Sequence, residues 1–388
     1  MRRCSARLRT LILATLLLPV SAPAQWISDP AIEKKIQRGI DYIYNIQFDK
    51  ADSLFADVVR WDPQNPAGYF FEAMTQWWRI LTNFDDESQD QRFYDMLDKV
   101  ITLCEERLDK NPNDVTALFF KGGAVGFRGR LRANRSKWVG AANDGLVALP
   151  IVQKAYKLDP TNYDVLLGIG IYNYYADVIP DEYPIVKPFM LFFPSGDRKK
   201  GLQQLEEAAK HARYARVEAN YFLLQNYFLY EKNFTKALAI AVELNRKFPQ
   251  NPAFQRYLGR CYISLGRLGE ANDVFLEVEN RFRKKQTGYD IYDGREAYYY
   301  IGKFDFLTGK TDQALRNLCI SDSLSKIVDK DGASGFMSLT DLMIGMIYDM
   351  QNKREAAIEQ YKKVLDMKEF ENSHRDAEQY LQQPYRRK

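Results

Sequence analysis

The residues that could carry catalytic chemistry are few and scattered. The 388-residue chain has two histidines, His211 and His374, and each lies among charged residues in a predicted helix. The sequence contains no H-E-x-x-H, G-x-S-x-G or P-loop pattern, which are the spacings that place a metal ligand, a nucleophile or a phosphate cradle. With so few histidines, neither a metal site nor a histidine-based triad is expected. Both histidines are therefore interpreted as solvated helix residues, and the sequence predicts no catalytic residue, cofactor or metal.

Two further patterns resemble functional sites but have simpler interpretations. Neighbouring acids occur at 85–87 and 181–182, in predicted loops. Because adjacent residues do not face one another on a helix, we interpret these acids as helix caps or solvated loop charges. Gly122, Gly126 and Gly129 resemble a glycine-rich phosphate loop. Their helical spacing instead favours a face where two helices pack closely.

The sharpest local charge asymmetry is a basic run with no acid between residues 115 and 143. It comprises Lys121, Arg128, Arg130, Arg132, Arg135 and Lys137. One interpretation is a helix end whose charges are compensated by acids elsewhere in the fold. The other is a patch for an anion, an acidic partner or a membrane headgroup. Arg128 to Lys137 are therefore candidate partner-binding residues.

Consecutive aromatic residues form a second group of candidates. Such runs occur at 172–175, 221–222, 227–228 and 298–300. Because consecutive side chains of a helix point in different directions, not every ring can be buried in one helix–helix interface. We expect some of the tyrosines to line an exposed groove, since tyrosine gives contact area at a low entropy cost. The candidates in the middle of the chain are Tyr172, Tyr174, Tyr175, Phe189 and Phe193.

The N-terminus has the three parts of a secretory signal. Four arginines precede an apolar run from Leu11 to Val20, and Ala22-Pro23-Ala24 fits a cleavage site, so the mature chain is expected to begin at Gln25. An uncleaved anchor is the alternative, although ten apolar residues are short for a membrane span. Without residues 1–24 the chain has 51 basic and 51 acidic residues. This neutral balance gives no argument for a nucleic-acid partner.

Three cysteines remain after residue 24, which is an odd and widely spaced set. Cys104, Cys261 and Cys319 fall in predicted helices, and no C-x-x-C pair occurs. Such a set does not form a disulfide framework. We therefore expect three small buried hydrophobic residues with free thiols.

An internal repeat organises the chain. In four places a glycine precedes an alanine by twelve residues, namely at Gly39, Gly259, Gly302 and Gly345. In three of these places an aromatic residue stands four positions after the alanine. Small residues at these positions let two helices approach closely, and the large residues fill the space beside them. The spacing matches the 34-residue tetratricopeptide pattern of W-x2-L-G-x2-Y, A-x3-F and P.

Proline and asparagine punctuation divides the chain into about eight helix pairs. Motifs such as Asp62-Pro63-Gln64-Asn65-Pro66 stop one helix and start the next. The predicted pairs are 31–63, 66–112, 114–160, 163–213, 216–249, 252–282, 295–328 and 336–368, with a capping helix near 373–383. The four prolines of 176–197 predict an insertion that is not helical throughout. The predicted fold is all-α, a right-handed superhelical solenoid with an irregular half at 25–213 and a more regular half at 214–388.

These units resemble tetratricopeptide-repeat proteins over nearly all of 31–368. The stretch Leu166–Tyr175, with Phe193–Leu202, is similar to exported bacterial repeat proteins of unassigned role. It is more distantly similar to a eukaryotic repeat family linked to the outer mitochondrial membrane and inclusion-body clearance. The resemblance implies a non-enzymatic scaffold that holds a peptide or helix of a partner protein in a concave groove.

The preferred hypothesis is therefore a periplasmic or secreted protein-binding scaffold. The mature chain has no predicted transmembrane segment and could associate peripherally with the envelope. The alternative is a small-ligand or anion-binding protein or enzyme with a pocket in 121–200. That pocket would gather basic, acidic and tyrosine side chains from 121–138 and 172–198. A purely structural spacer is a third possibility.

Overall fold

The computed structural model describes residues 27–190 and 193–387, without the side chains of Ile185, Phe189 and Met190. Over these residues the chain forms eighteen α-helices and no β-strand. The predicted export signal at 1–24 and the predicted partner contact of Phe189 lie outside what is described.

Sixteen of the helices form eight consecutive pairs, which confirms the predicted all-α solenoid. The pairs are α1 (Pro30–Tyr44) with α2 (Phe48–Trp61), α3 (Pro66–Leu81) with α4 (Asp90–Lys110), α5 (Val115–Asn134) with α6 (Trp138–Leu158), α7 (Tyr163–Glu182) with α9 (Arg198–His211), α10 (Arg216–Leu229) with α11 (Phe234–Lys247), α12 (Pro252–Ser264) with α13 (Leu268–Arg283), α14 (Ile291–Leu307) with α15 (Thr311–Val328), and α16 (Gly335–Met350) with α17 (Arg354–Leu365). The short α8 (Lys187–Met190) lies in the insertion, and α18 (Ser373–Gln382) follows the last pair as the predicted capping helix.

Asparagine or aspartate caps explain where the first helix begins in six of the eight pairs. The Asn65 side chain accepts a hydrogen bond from the Ala67 N–H at 3.0 Å, and the Asn251 side chain accepts one from the Phe254 N–H at 3.2 Å. A proline follows each of these asparagines, at the first helical position where its missing N–H costs nothing. The predicted stop-and-start motifs therefore act as helix caps.

The repeated glycines are positions of close helix approach. A Cβ atom at Gly39 would lie 2.5 Å from the Phe55 ring, and one at Gly345 would lie 2.5 Å from the Tyr361 ring. Gly259 and Gly302 meet Phe275 and Leu318 in the same way. In these four pairs the second helix thus places a large side chain against the glycine of the first, as the twelve-residue spacing predicts.

The largest hydrophobic core cluster runs from Ile27 to Cys261. It continues across residue 213, where the sequence suggested a division into two halves. Smaller clusters serve the later pairs, for example the one around Tyr299, Leu318 and Ile347. The early pairs therefore share one large core, whereas the later pairs pack through several small, separate clusters.

The insertion departs from the prediction at its beginning. Helix α7 continues through Pro180 and ends at Glu182, so the acids 181–182 lie in its last turn and not in a loop. A proline this close to the end removes only one intrahelical hydrogen bond. A 3-10 turn at Pro184–Val186 and the short α8 follow, so the insertion is irregular beyond that point, as expected.

The glycines of α5 are helical, so the glycine-rich loop interpretation is wrong. A Cβ atom at Gly122 would lie 2.7 Å from Val152 of α6, and one at Gly129 would lie 3.0 Å from Asp144. These two glycines confirm the predicted packing face. No atom lies within 4 Å of a Cβ at Gly126, so that glycine is not part of the face.

Two of the three cysteines are buried as expected, and the third is not. Cys104 and Cys261 are fully buried, and burial raises the pKa of each thiol to about 12. Cys319 is exposed, because it follows the buried Leu318 directly and so points about 100° away from it around α15. The prediction of a buried Cys319 is therefore wrong.

We expect an alkylating reagent to modify Cys319 in the native protein and to leave Cys104 and Cys261 untouched until urea is added. The physical reason is that a buried thiol with a raised pKa offers almost no thiolate. Peptide mass spectrometry before and after denaturation makes the measurement. Native labelling of Cys104 or Cys261 would contradict the packing described above.

An acidic side chain of α16 is buried near charged groups of α15 and α17. Asp341 is 3% exposed, and the charged groups that act on it are Asp322, Lys326 and Lys363. Burial, together with the charge of Asp322, raises the pKa of Asp341 to about 6. The folded state therefore holds a proton here that the unfolded chain releases near pH 4.

Asp341→Asn is expected to stabilise the protein at pH 8 by roughly 1–3 kcal/mol and to have little effect at pH 4. The folded pKa lies above the unfolded one, so wild-type stability falls as the pH rises from about 4 through about 6. The asparagine amide carries no charge, so the variant does not lose the free energy that the wild type loses when the buried Asp341 ionises. Urea unfolding at both pH values checks this, and an equal effect at both would exclude the ionisation of Asp341 as the cause.

Candidate interaction surfaces

Acids from neighbouring helices compensate most of the basic run. Arg128 and Arg132 of α5 both donate to the buried carboxylate of Asp144, at 2.8 and 2.6 Å, and Arg128 also reaches Asp98 at 2.6 Å. Lys121 pairs with Glu105 at 2.8 Å. These contacts favour the interpretation in which acids elsewhere in the fold balance the run.

The end of the run follows the same pattern. The Arg135 side chain is only 5% exposed, and it donates to Asp90 at 2.7 Å and to the Phe84 carbonyl at 2.6 Å. Its guanidinium also lies over the Phe84 ring. Lys137 precedes α6 and is exposed. Among the predicted basic candidates, Lys137 is thus the most accessible to a partner.

Arg130 lies apart from the other arginines, in the centre of the early repeats. Its guanidinium donates to Glu218 of α10 at 2.9 Å and lies over the rings of Trp77 and Phe222. Glu218 is 5% exposed and also accepts a hydrogen bond from the Tyr44 hydroxyl at 3.1 Å. Burial, with the charge of Glu218, raises the pKa of Tyr44 well above its usual value. One buried polar network therefore joins α1, α5 and α10.

Aromatic rings fill the space around this network. Trp78 lies 5.1 Å from Tyr44 and 5.5 Å from Tyr221, measured between ring centroids, and Tyr221 lies 5.4 Å from Phe254. These rings belong to α1, α3, α10 and α12, which are remote in sequence. The inner faces of the early repeats thus pack against one another instead of lining an open groove.

Connecting loops complete the closure. The Asn251 amide donates to the Tyr44 carbonyl at 3.0 Å, and the Tyr292 hydroxyl donates to Asp85. A Cβ atom at Gly288 would lie 2.9 Å from Ile46. The superhelix therefore curves until its first two pairs touch the sixth and the start of the seventh.

The aromatic candidates of α7 are mostly internal. Tyr174 is fully buried and donates to Glu231 at 2.8 Å, and Tyr175 donates to Asn226 at 2.7 Å. Burial raises the pKa of both hydroxyls. Tyr172 donates to the Pro194 carbonyl and lies 6.4 Å from the ring of Phe193. The expectation of an exposed tyrosine groove is therefore not met at Tyr174 and Tyr175, and Tyr172 is half-buried.

The end of the insertion is attached to α7 and α6. The Asp197 N–H donates to the Asn173 carbonyl at 2.9 Å, and Asp177 accepts from the Arg198 N–H at 3.0 Å. The half-buried Phe193 lies against Gly145 of α6. Phe193 therefore covers α6 at Gly145, while Val139 and Val147 of the same helix are exposed.

The arrangement predicted for a pocket in 121–200 does not form among the described side chains. Arg128 and Arg132 converge on Asp144, whereas Arg198 pairs with Glu231 at 2.7 Å. Of the basic run, Arg130 alone approaches an aromatic candidate, since it lies over the same Phe222 ring that Tyr175 contacts. Apart from the Phe222 ring that Arg130 and Tyr175 share, the basic run and the 172–198 segment end in separate networks.

The histidines have local roles. His211 is exposed at the end of α9, where its ring lies 4.9 Å from that of Tyr163. His374 is half-buried, and its Nε2 lies 2.9 Å from the Met367 carbonyl oxygen, so it is less solvated than predicted. Residues 27–190 and 193–387 contain no cluster of three histidine, cysteine, aspartate or glutamate side chains suited to a metal ion. Over the same ranges, no helix is long and apolar enough to cross a membrane.

The inner face opens along the later repeats. In α12, α14 and α16 we define the inner stripe as the positions one and five residues after the packing glycines Gly259, Gly302 and Gly345. Its members are Arg260, Ser264, Lys303, Leu307, Met346 and Met350, all half-buried or exposed. Arg260 makes a bidentate contact to Glu296 of α14. Sequence reasoning missed this stripe because its members share a helical position and not a residue type.

Comparison with solved structures agrees with this architecture. The Cut9 and Hcn1 hetero-tetramer of the APC/C aligns with a TM-score of 0.53 and 14% identity, over 90% of this chain and 55% of that one, so this chain spans about half of its length. Two further structures match at TM-scores too low to support an argument. A tetratricopeptide-repeat protein of Thermus thermophilus has a TM-score of 0.36 and 17% identity, over 60% of this chain and 98% of that one. Yeast Tom70 has a TM-score of 0.37 and 11% identity, over 91% of this chain and 88% of that one.

The fold defines the class of protein. The eight stacked helix pairs, their glycine contacts and the Cut9 alignment show a tetratricopeptide-type repeat solenoid. No family model matches the chain, and no curated protein matches it.

Proposed function

We propose that the chain is an exported, non-catalytic scaffold for protein–protein interactions in the periplasm or cell envelope. Export is supported by the arginine-rich start, the short apolar run and the Ala22–Ala24 site. The scaffold role is supported by the fold, because stacked repeats present an extended surface to a partner. The partner contributes a peptide or helix to the concave side of the solenoid.

The observation that carries this proposal is the open inner stripe of α12, α14 and α16. The early repeats fill their concave side with Tyr44, Trp78 and Tyr221. The later repeats leave Met346 and Met350 half-exposed on theirs. Unbranched methionine side chains adapt to the apolar face of an incoming helix. The concave binding surface is therefore assigned to the last three complete pairs.

The accessible residues among the candidates predicted from the sequence give a second, peripheral contact. Lys137 is exposed just before α6, and Phe193 is half-buried against Gly145 of the same helix. A partner that extends beyond the inner stripe would meet these two residues separately. The arginines of the basic run are engaged by acids and stabilise the fold.

Export is tested by N-terminal sequencing of the protein from the envelope fraction of the producing cell. A chain that begins at Gln25 supports the proposal. A chain that still begins at Met1 in the cytoplasmic fraction would contradict it.

The binding surface is tested by quantitative capture of partners from the same envelope fraction. The test variant is Lys303→Glu with Met346→Ser, and the matched control is Val242→Glu on the exposed side of α11. We expect a protein enriched by the wild type and by the control to be lost with the test variant, while the melting temperatures stay alike. Equal capture by all three would remove the inner stripe as the binding surface.

A further inference from the structure

The chain after α18 turns back across the ends of two earlier helices. We call residues Gln383–Arg387 the return segment. The Tyr385 N–H donates to the Asp349 carboxylate at 2.8 Å, and the Arg387 guanidinium donates to the Leu307 carbonyl at 2.6 Å. The Tyr385 ring lies 6.0 Å from the ring of Phe306. The return segment thus makes an extended contact with the C-terminal ends of α16 and α14.

The receiving surface is held in place independently of the return segment. The Asp349 side chain is fully buried and accepts hydrogen bonds from Arg354 and from the Tyr361 hydroxyl, each at 2.9 Å. Leu307 is the last residue of α14, where backbone carbonyls have no intrahelical partner and a cation is favoured. The site therefore offers a fixed carboxylate, an apolar wall and a helix C-terminus.

The return segment is mostly exposed and makes few contacts. Tyr385 is half-buried, and Pro384, Arg386 and Arg387 are exposed. Its contacts with α14 and α16 are two hydrogen bonds, one aromatic contact and the packing of Tyr385 against the apolar cluster of these helices. The Tyr385 ring also lies 5.2 Å from the ring of Tyr380 in α18. A backbone N–H, one ring and one cation are features that any extended peptide with the right spacing supplies.

The position of the contact connects it with the inner stripe. Tyr385 packs against the same hydrophobic cluster as Met346 and Met350, and Leu307 belongs to the stripe itself. The return segment therefore lies at one edge of the surface on which we place the partner.

We propose that the ends of α14 and α16 form a binding site for an extended peptide with an aromatic residue two positions before an arginine, and that the return segment is its intramolecular occupant. This inference rests on the proposed scaffold function for its biological role and names the chemistry of the partner segment. A partner peptide binds by displacing the return segment, which makes the segment a competitor that sets the apparent affinity.

The experiment uses a chain that stops after Gln383 and a fluorescent peptide with the sequence of residues 382–388. We expect the peptide to bind the shortened chain, with an affinity at least about tenfold weaker for the full-length chain, because the tethered segment competes at a high effective concentration. Fluorescence anisotropy measures both. If the shortened chain does not fold, Tyr385→Ala with Arg387→Ala in the full-length chain opens the same site.

Matched peptides test the recognition pattern. Peptides with Tyr385→Ala or Arg387→Ala are expected to lose binding, whereas Arg386→Ala is expected to keep it, since Arg386 makes none of the contacts above. Equal binding to full-length and shortened chains would overturn the proposal, as would a folded open-site variant that does not bind the peptide. A concentration-dependent dimer formed by exchange of the segment would assign the site to a second copy of the chain instead.

Failure of this proposal differs from failure of the scaffold proposal. The peptide measurement needs no cellular partner, and the capture experiment with Lys303→Glu and Met346→Ser leaves the return segment intact. If the Lys303→Glu, Met346→Ser variant loses the captured partner but the shortened chain does not bind the peptide, the scaffold proposal is retained and the return-segment site is excluded. Peptide binding without any captured partner would retain the site and exclude the scaffold.

Discussion

Glu218→Gln is expected to lower the free energy of unfolding by roughly 2–4 kcal/mol. The substitution keeps the shape of the side chain but removes the charge that faces Arg130 at 2.9 Å. Breaking a buried ion pair from one side leaves an uncompensated charge, which costs about 3–5 kcal/mol when both groups are fully buried. The Arg130 side chain is 22% exposed, so some of that cost is relieved by water. Urea denaturation followed by circular dichroism measures the change.

A double substitution and an exposed control separate the ion pair from other effects. Adding Arg130→Met to Glu218→Gln should recover most of the lost stability, because an apolar group needs no counterion. Glu243→Gln breaks the solvent-exposed pair with Arg246 and should leave the unfolding midpoint unchanged. If Glu218→Gln behaves like Glu243→Gln, the buried network does not hold the early repeats together.

The same substitution should loosen α1 more than α16. Arg130 and Tyr44 connect α5 and α1 to Glu218 of α10, and the pairs after α12 have their own clusters. Amide hydrogen exchange is therefore expected to rise in residues 30–44 and to stay unchanged in 335–350. Uniform acceleration along the chain would mean that the network has no local role.

The repeat organisation could be predicted from the sequence because its signals are local. Each twelve-residue interval, such as Gly39 to Ala51, encodes one contact between consecutive helices. Most pair boundaries follow in the same way from capping residues that act within a few positions, such as Asn65 and Asn251. The start of α14 was placed four residues late, although Asp290 and Asp293 form a capping box there.

The closure of the early repeats could not be predicted, because it depends on contacts between distant residues. Tyr44 and Glu218 are 174 positions apart, and whether they meet depends on small rotations that accumulate over several repeats. The same long-range packing buries Tyr174 and engages Arg130. The open stripe of α12, α14 and α16 was missed for this reason too, since local sequence does not show which stretch of a solenoid curls onto itself.

Gly201→Ala is expected to destabilise the protein by about 3 kcal/mol, at the upper end of the usual cost of overpacking. A Cβ atom at this position of α9 would lie 2.5 Å from the backbone nitrogen of Tyr174 and 2.8 Å from its Cα atom. A backbone atom cannot turn aside as a flexible side chain can. The added methyl group must therefore separate α9 from α7, which disturbs the fourth repeat where the insertion is attached.

Gly126→Ala is the matched substitution with the opposite expected sign. Gly126 also lies within a helix, but no atom is found within 4 Å of its Cβ position. Alanine should stabilise the protein there by roughly 0.5–1 kcal/mol, because it restricts the unfolded chain and favours the helix. Thermal and urea unfolding of both variants give the comparison. If Gly201→Ala also stabilises the protein, α7 and α9 do not approach as closely as the repeat geometry requires.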